Sequence, residues 1–183
     1  MEIIISLAVV ALVAFYLISQ YNKLIRLNVQ VDEAFAQIEV QLKRRSDLIP
    51  NLVETVKGYA SHEREAFEKV TEARAKSNNA SGVHDVAVAD NMLTQALRQL
   101  FAVAEAYPDL KASANFIQLQ EELATTENKV AFARQFYNDT VRSLNTAVKT
   151  IPSNFFAPLA KVGEREFYEV DDQGERNAPK VSF

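Results

Sequence analysis

The side chains best equipped for catalysis are few. His62 and His84 are the two histidines and Cys is absent, so thiolate nucleophiles, disulfides and cysteine metal ligands are excluded. His62-Glu63 begins like the zinc-binding HExxH helix, but the fifth residue is Ala66 rather than a second ligand. A di-iron carboxylate bundle needs Glu three residues before His, and Tyr59 and Ser81 stand there instead. Glu121, Glu122 and Glu127 are candidate acid–base groups, yet charges flanking an apolar helical stripe usually stay in water or pair between helices. The four glycines (58, 82, 163 and 174) are scattered and build no phosphate cradle, and no Ser or Thr lies in an elbow-like turn. A formal net charge of −4 lacks the basic face that phosphate binding requires. These residues assign no catalytic, cofactor-binding or metal-ligating role. Neither nucleic acid nor a small-molecule substrate is expected.

One charge stands where an apolar residue belongs. Leu24, Val31, Ile38 and Leu52 fall on a seven-residue series, and Arg45 fills the slot between Ile38 and Leu52. An ionised group on a buried stripe must find a partner or escape to water, because an unpaired buried charge costs roughly 3–5 kcal/mol. Glu122 or Glu127, farther along the chain, can supply a carboxylate, and a register-setting ion pair with Arg45 is expected.

The elements that must position such a pair are helices. From Ile3 to Asn22 there are 20 uncharged residues, IIISLAVVALVAFYLI filling most of them. At ~1.5 Å per residue they span ~30 Å, the thickness of a bilayer core. The stretch has no preceding positive charge and no small-x-small exit, so residues 1–22 read as a retained transmembrane anchor rather than a signal peptide. Lys23 and Arg26 follow it directly, which by the positive-inside rule puts the body in the cytoplasm and the N-terminus outside.

The spacing then predicts helices over about 23–57, 61–78, 84–106 and 113–151, with a mostly irregular tail over 152–183 apart from one turn at 157–161. Phe35, Leu42, Ile49 and Val56 make a second seven-residue series that keeps its phase across Pro50, so Pro50 reads as a kink inside one helix. Gly58 suits that helix's end, Ser61 the next N-cap, and Pro108 with Asp109 a stop. Phe116, Leu123, Val130, Tyr137, Leu144 and Ile151 repeat at seven with mostly small residues facing them. The expected fold is all-α: an antiparallel four-helix bundle with two long and two shorter helices, continuous with the transmembrane helix.

Length adds an argument about assembly. The short helices cover only part of the long pair, which leaves Leu24, Leu27, Val31, Tyr137, Val141, Leu144 and Val148 without a cover near the membrane. Self-association through that segment is expected, giving a homo-oligomer. The same topology returns Phe155 and Phe156 to the membrane side, where they are candidates for the lipid interface. The last residues, ending in Val181-Ser182-Phe183, have the apolar terminus that strand-adding, carboxylate-capturing sites take, so Val181 and Phe183 are candidate docking residues for a membrane-protein partner or a neighbouring subunit.

Four segments carry a resemblance. YNKLIRL after the anchor, VQLKRRSDLIPNLVETVKGYASHE (40–63), AEAYPDLKA (104–112) and ELATTENKVAFARQFYN (122–138) are similar, in order, to the LemA family. The resemblance implies a bacterial protein with one N-terminal membrane segment and a long-helix bundle, and no established activity or substrate. Arg45, Asp47, Pro50, Asn51, Glu127 and Asn138 match its motifs and carry over as structural or assembly positions. The function expected is a non-enzymatic, self-associating scaffold in the cytoplasmic membrane, serving envelope maintenance or stress. The alternative is an adaptor presenting its tail or a helical groove to another membrane protein, such as a protease.

Overall fold

A computed structural model describes residues 1–169. Among them there is no strand, and α-helices account for most of the chain. The first, α1 (Glu2–Lys57), is one helix of 56 residues that passes through Pro50 without ending. The N-terminal apolar stretch and the first body helix are therefore a single element. Residues 3–18 are exposed along their whole length, and by length and composition α1 is the one described helix able to cross a membrane.

The next helix, α2 (Arg64–Asn79), starts three residues later than the expected 61. Ser61 is not its N-cap: Glu63 holds that position and makes no side-chain cap bond. The amides of Tyr59 and Ala60 both bond back to the Val56 carbonyl, and Ala60 is buried before the chain turns away. Burying that methyl group delays the start. Gly82, at φ 83°, opens α3 (Val83–Glu105), a conformation that glycine adopts without a side-chain clash. Where Pro108 was expected only to stop a helix, it also occupies the first turn of a short one, α4 (Pro108–Lys111), whose Leu110 is buried. The long α5 (Ala114–Lys149) follows. A 3-10 turn (Ser153–Phe155) and α6 (Ala157–Ala160) complete the order, and Lys161 ends α6 in the left-handed region at φ 52°.

The chain divides into two compact units. The first holds Met1–Ile38 and Phe132–Phe167. Leu24, Val31, Ala34 and Ile38 of α1 are buried there, as are Ala133, Tyr137, Val141, Leu144 and Ala147 of α5, and the rings of Phe35 and Tyr137 meet at 5.8 Å. This corrects the expected open stripe. Leu24, Val31, Tyr137, Val141 and Leu144 are covered within one chain, while Leu27 and Val148 are half-buried against the same cluster.

The cover is the segment that read as an irregular tail. Ala157 and Phe156 pack with Leu24 and Ala147. The Asn145 side chain accepts from the Arg165 amide at 2.8 Å and donates to its carbonyl at 2.9 Å, imitating a strand partner. Tyr137 Oη donates to the Glu166 carbonyl at 2.9 Å, Arg165 reaches Asn28 at 3.2 Å and Asp32 at 2.5 Å, and Lys149 pairs with Glu164 at 2.7 Å. Polar bonds thus stitch the segment over an apolar seam, and the stripe's burial removes the reason first given for self-association. Phe155 and Phe156 also part company: Phe155 points outward and Phe156 joins the cluster. Val181 and Phe183 lie outside the described residues.

The second unit holds Glu39–Ala131 and, among the described residues after it, Tyr168 and Glu169. One core cluster draws on five helices: Ile49, Leu52 and Val56 of α1, Phe67 and Val70 of α2, Leu93, Leu97 and Leu100 of α3, Leu110 of α4, and Phe116 and Leu123 of α5. The rings of Phe101 and Phe116 meet edge to face at 6.1 Å. Tyr107 Oη donates to Glu63 at 3.2 Å, tying the α3–α4 turn to the start of α2.

Candidate functional site

The concentration of buried charge in the second unit centres on Arg45. Its heptad position turns it inward, where it is 4% exposed. Nη1 donates to Asp90 Oδ1 at 2.9 Å and to Thr94 Oγ1 at 3.0 Å, both on α3, while Nη2 lies 2.8 Å from Glu127 Oε2 on α5. Tyr168 is buried and donates from Oη to Asp90 Oδ2 at 2.7 Å. One guanidinium and one carboxylate therefore connect α1, α3, α5 and the root of the C-terminal segment. Arg45 Nε is buried with no hydrogen-bond partner, beside a cavity of about 250 Å³ lined by Thr94, Leu97, Arg98, Phe101 and Glu127 among others.

The sequence offered Glu122 or Glu127 as the partner. The structure places Glu127 against Arg45, whereas Glu122 is exposed and accepts from Gln118 at 3.0 Å one turn back. Of the two alternatives Glu127 is the partner, and Asp90 is a second one that the sequence reading did not name. Sequence reasoning missed Asp90 because a helical aspartate ordinarily reads as a solvated residue, but its own series gives it away. Val86, Leu93, Leu97 and Leu100 form the buried stripe of α3, and Asp90 is fully buried among them, the counterpart of Arg45 on its own helix.

A second polar contact sits one turn along α1. Proline has no N–H, so Pro50 leaves the Ser46 carbonyl, four residues back, without its helical donor. Arg74 of α2 supplies one, its Nε reaching that carbonyl at 2.9 Å. Ser46 Oγ donates to Asn78 Oδ1, also on α2, at 2.8 Å. The proline thus turns a backbone acceptor outward, and α2 reads it. Lys43 and Asp47, on the exposed side of the same turn, pair with each other.

Chemically, this arrangement holds rather than reacts. A guanidinium stays protonated across the physiological range and is a poor acid–base catalyst. Desolvating three charges offsets much of their attraction, so the cluster's larger effect is on which helices meet and in what register.

Elsewhere, burial pushes the Tyr137 phenol above its ordinary 10.0, with Arg165 opposing. Desolvation, a hydrogen bond to Glu63 and that carboxylate's charge raise Tyr107 as well. On the exposed face of α2, Lys69 and Lys76 hold Glu65 and Glu72 below the usual carboxylate range, chiefly by direct hydrogen bonds.

Comparison with known proteins agrees with the motifs that surround these contacts. Protein LemA of Metamycoplasma hominis is 26% identical over 172 residues, covering 89% of this chain and 78% of that protein. Magnetosome protein MamQ of Magnetospirillum gryphiswaldense is 21% identical over 202 residues, 95% of this chain and 74% of its own length. Magnetosome protein MamQ 2 of Paramagnetospirillum magneticum is 23% identical over 195 residues, 92% and 71% respectively. The LemA family profile matches residues 34–183, which include Arg45, Pro50, Asp90, Glu127 and Tyr168. The chain belongs to the LemA family.

Proposed function

We propose that this protein is a membrane-anchored, non-catalytic helical scaffold of the bacterial cytoplasmic membrane, serving envelope maintenance or stress. One observation carries the reading. Within the first unit α1 passes without a break from an exposed apolar stretch ending at Ile18 to Leu24, Val31 and Ile38, which line the core. An anchor that continues as a core helix fixes the orientation of what it carries, a property a scaffold needs and a flexible tether lacks. The helices of the body form an antiparallel four-helix bundle in this reading. The pairing of Leu24 with Ala147 and of Phe35 with Tyr137 supports opposite directions for α1 and α5. Lys23 and Arg26 after the span support a cytoplasmic body with the N-terminus out.

The scaffold self-associates into a homo-oligomer, and its contact is not the covered stripe. Phe132 and Phe136 are exposed one turn apart on α5, and such a pair is what a helix offers to a second copy. Imaging and mass measurement of the full-length protein in lipid test this. Ordered homo-assemblies that dissociate on joint Phe132→Ser and Phe136→Ser replacement are expected. A monomer in lipid defeats the scaffold reading.

The second reading is an adaptor for another membrane protein. It rests on Tyr168, whose buried side chain on Asp90 gives the following residues a fixed point of departure. A stable unlike partner near 1:1, lost when residues 180–183 are deleted, favours it.

A further inference from the structure

The segment that covers the seam has an outer face of its own. Ile151, Phe155 and Leu159 are 76%, 71% and 71% exposed, and each stands four residues from the next. Turn-forming bonds link this stretch: Asn154 to Thr150, Phe155 to Pro152, Phe156 to Ser153 and Ala160 to Phe156. Three large apolar side chains are therefore exposed along it, while Ser153, Phe156 and Ala157 turn inward, Phe156 and Ala157 packing with Leu24. Isolated surface leucines need no explanation, but three large exposed apolar side chains within one short turn segment do.

Its position along α1 names the occupant. Ser153 Oγ donates to Gln20 Oε1 at 3.2 Å, which holds the segment level with Gln20, directly after the exposed apolar stretch ends. A span of 20 residues from Ile3 reaches Asn22, so this level is the boundary between acyl chains and headgroups. Lys161 stands two residues after Leu159, and Lys23 and Arg26 follow the span on α1. Basic side chains with long apolar stems at this depth reach headgroups while their stems lie along lipid.

We propose that Ile151, Phe155 and Leu159 insert into the bilayer interface beside the transmembrane segment as a second attachment point. The proposal rests on reading the start of α1 as a membrane span. A continuous helix fixes the body to its anchor but leaves the two free to rotate and tilt together in the bilayer, and a neighbouring interfacial wedge removes that freedom.

The absence of Cys allows a direct test on the full-length protein in vesicles of phosphatidylcholine and phosphatidylglycerol. Single variants Phe155→Cys and Leu159→Cys carry an environment-sensitive fluorophore, with Val10→Cys inside the span and Asp139→Cys on the exposed side of α5 as references. The expected result is that labels at 155 and 159 lose most of their emission to lipids nitroxide-labelled near the headgroup and none to aqueous iodide, with the reverse at 139. If 155 and 159 respond to iodide while Val10→Cys responds to lipid, the wedge is overturned and the span stands. If Val10→Cys itself responds to iodide, both fall. Protection of 155 and 159 from both quenchers would mean a protein occupant and overturn the lipid assignment.

Discussion

Arg45 and Asp90 are each costly alone and tolerable together. Arg45→Ala leaves the fully buried Asp90 without its guanidinium, and a loss of about 3–5 kcal/mol is expected in denaturant unfolding of the detergent-solubilised protein. Replacing both, as Arg45→Met with Asp90→Leu, should recover much of that loss, because the fully buried carboxylate goes with its partner and Glu127, whose side chain is 38% exposed, can turn to water. Tyr168→Phe removes one hydrogen bond to a carboxylate and should cost about 1.5–3 kcal/mol, read from denaturant unfolding. Half of this cluster was legible beforehand. A charge in an apolar series declares itself, so spacing points to Arg45, whereas Glu127 is only one of two carboxylates, with Glu122, that the sequence offers it. Asp90 obeys the same rule on α3 and was passed over, while Tyr168 lies in an acidic stretch with no periodicity to place it. Its contact with Asp90 joins residues 78 apart, a pairing that no local pattern encodes.

At the scale of elements, the proline in α1 and the arginine in α2 form one device. In the native chain Arg74→Ala strands the Ser46 carbonyl. With Pro50→Ala the helix regains its own N–H for that carbonyl, and Arg74 becomes dispensable there. A double-mutant cycle on these two sites should therefore show a coupling of about 1 kcal/mol, read from thermal or urea unfolding. Additive effects would mean that Arg74 acts elsewhere. The helices themselves were readable because apolar residues recur with heptad regularity and breakers are sparse. Boundaries shifted where tertiary burial outweighed local chemistry, as at Ala60, and where Pro108 began a turn instead of only ending one. The cover over the seam was not readable. Its contacts are backbone carbonyls and single polar side chains rather than an apolar repeat, and those to α1 reach back across 133 to 137 residues.

For the whole molecule, alkali is an informative stress. Tyr137 ionises less readily when folded than its ordinary 10.0, so the unfolded chain gives up that proton first. Stability from this group is complete below pH 10 and falls as pH rises above it. A midpoint of alkaline unfolding that moves upward in Tyr137→Phe would confirm the source; the Oη bond to Glu166 is lost in the same variant, so its stability at neutral pH should fall slightly. The long reach of the cover also has a consequence for synthesis. The seam at Tyr137 stays open until the ribosome has made Glu166, 29 residues later. At ~5–20 residues per second, that part of α5 waits roughly 1.5–6 seconds for its cover. A product that stops between Tyr137 and Arg165 has that face bare, a natural substrate for quality-control proteolysis.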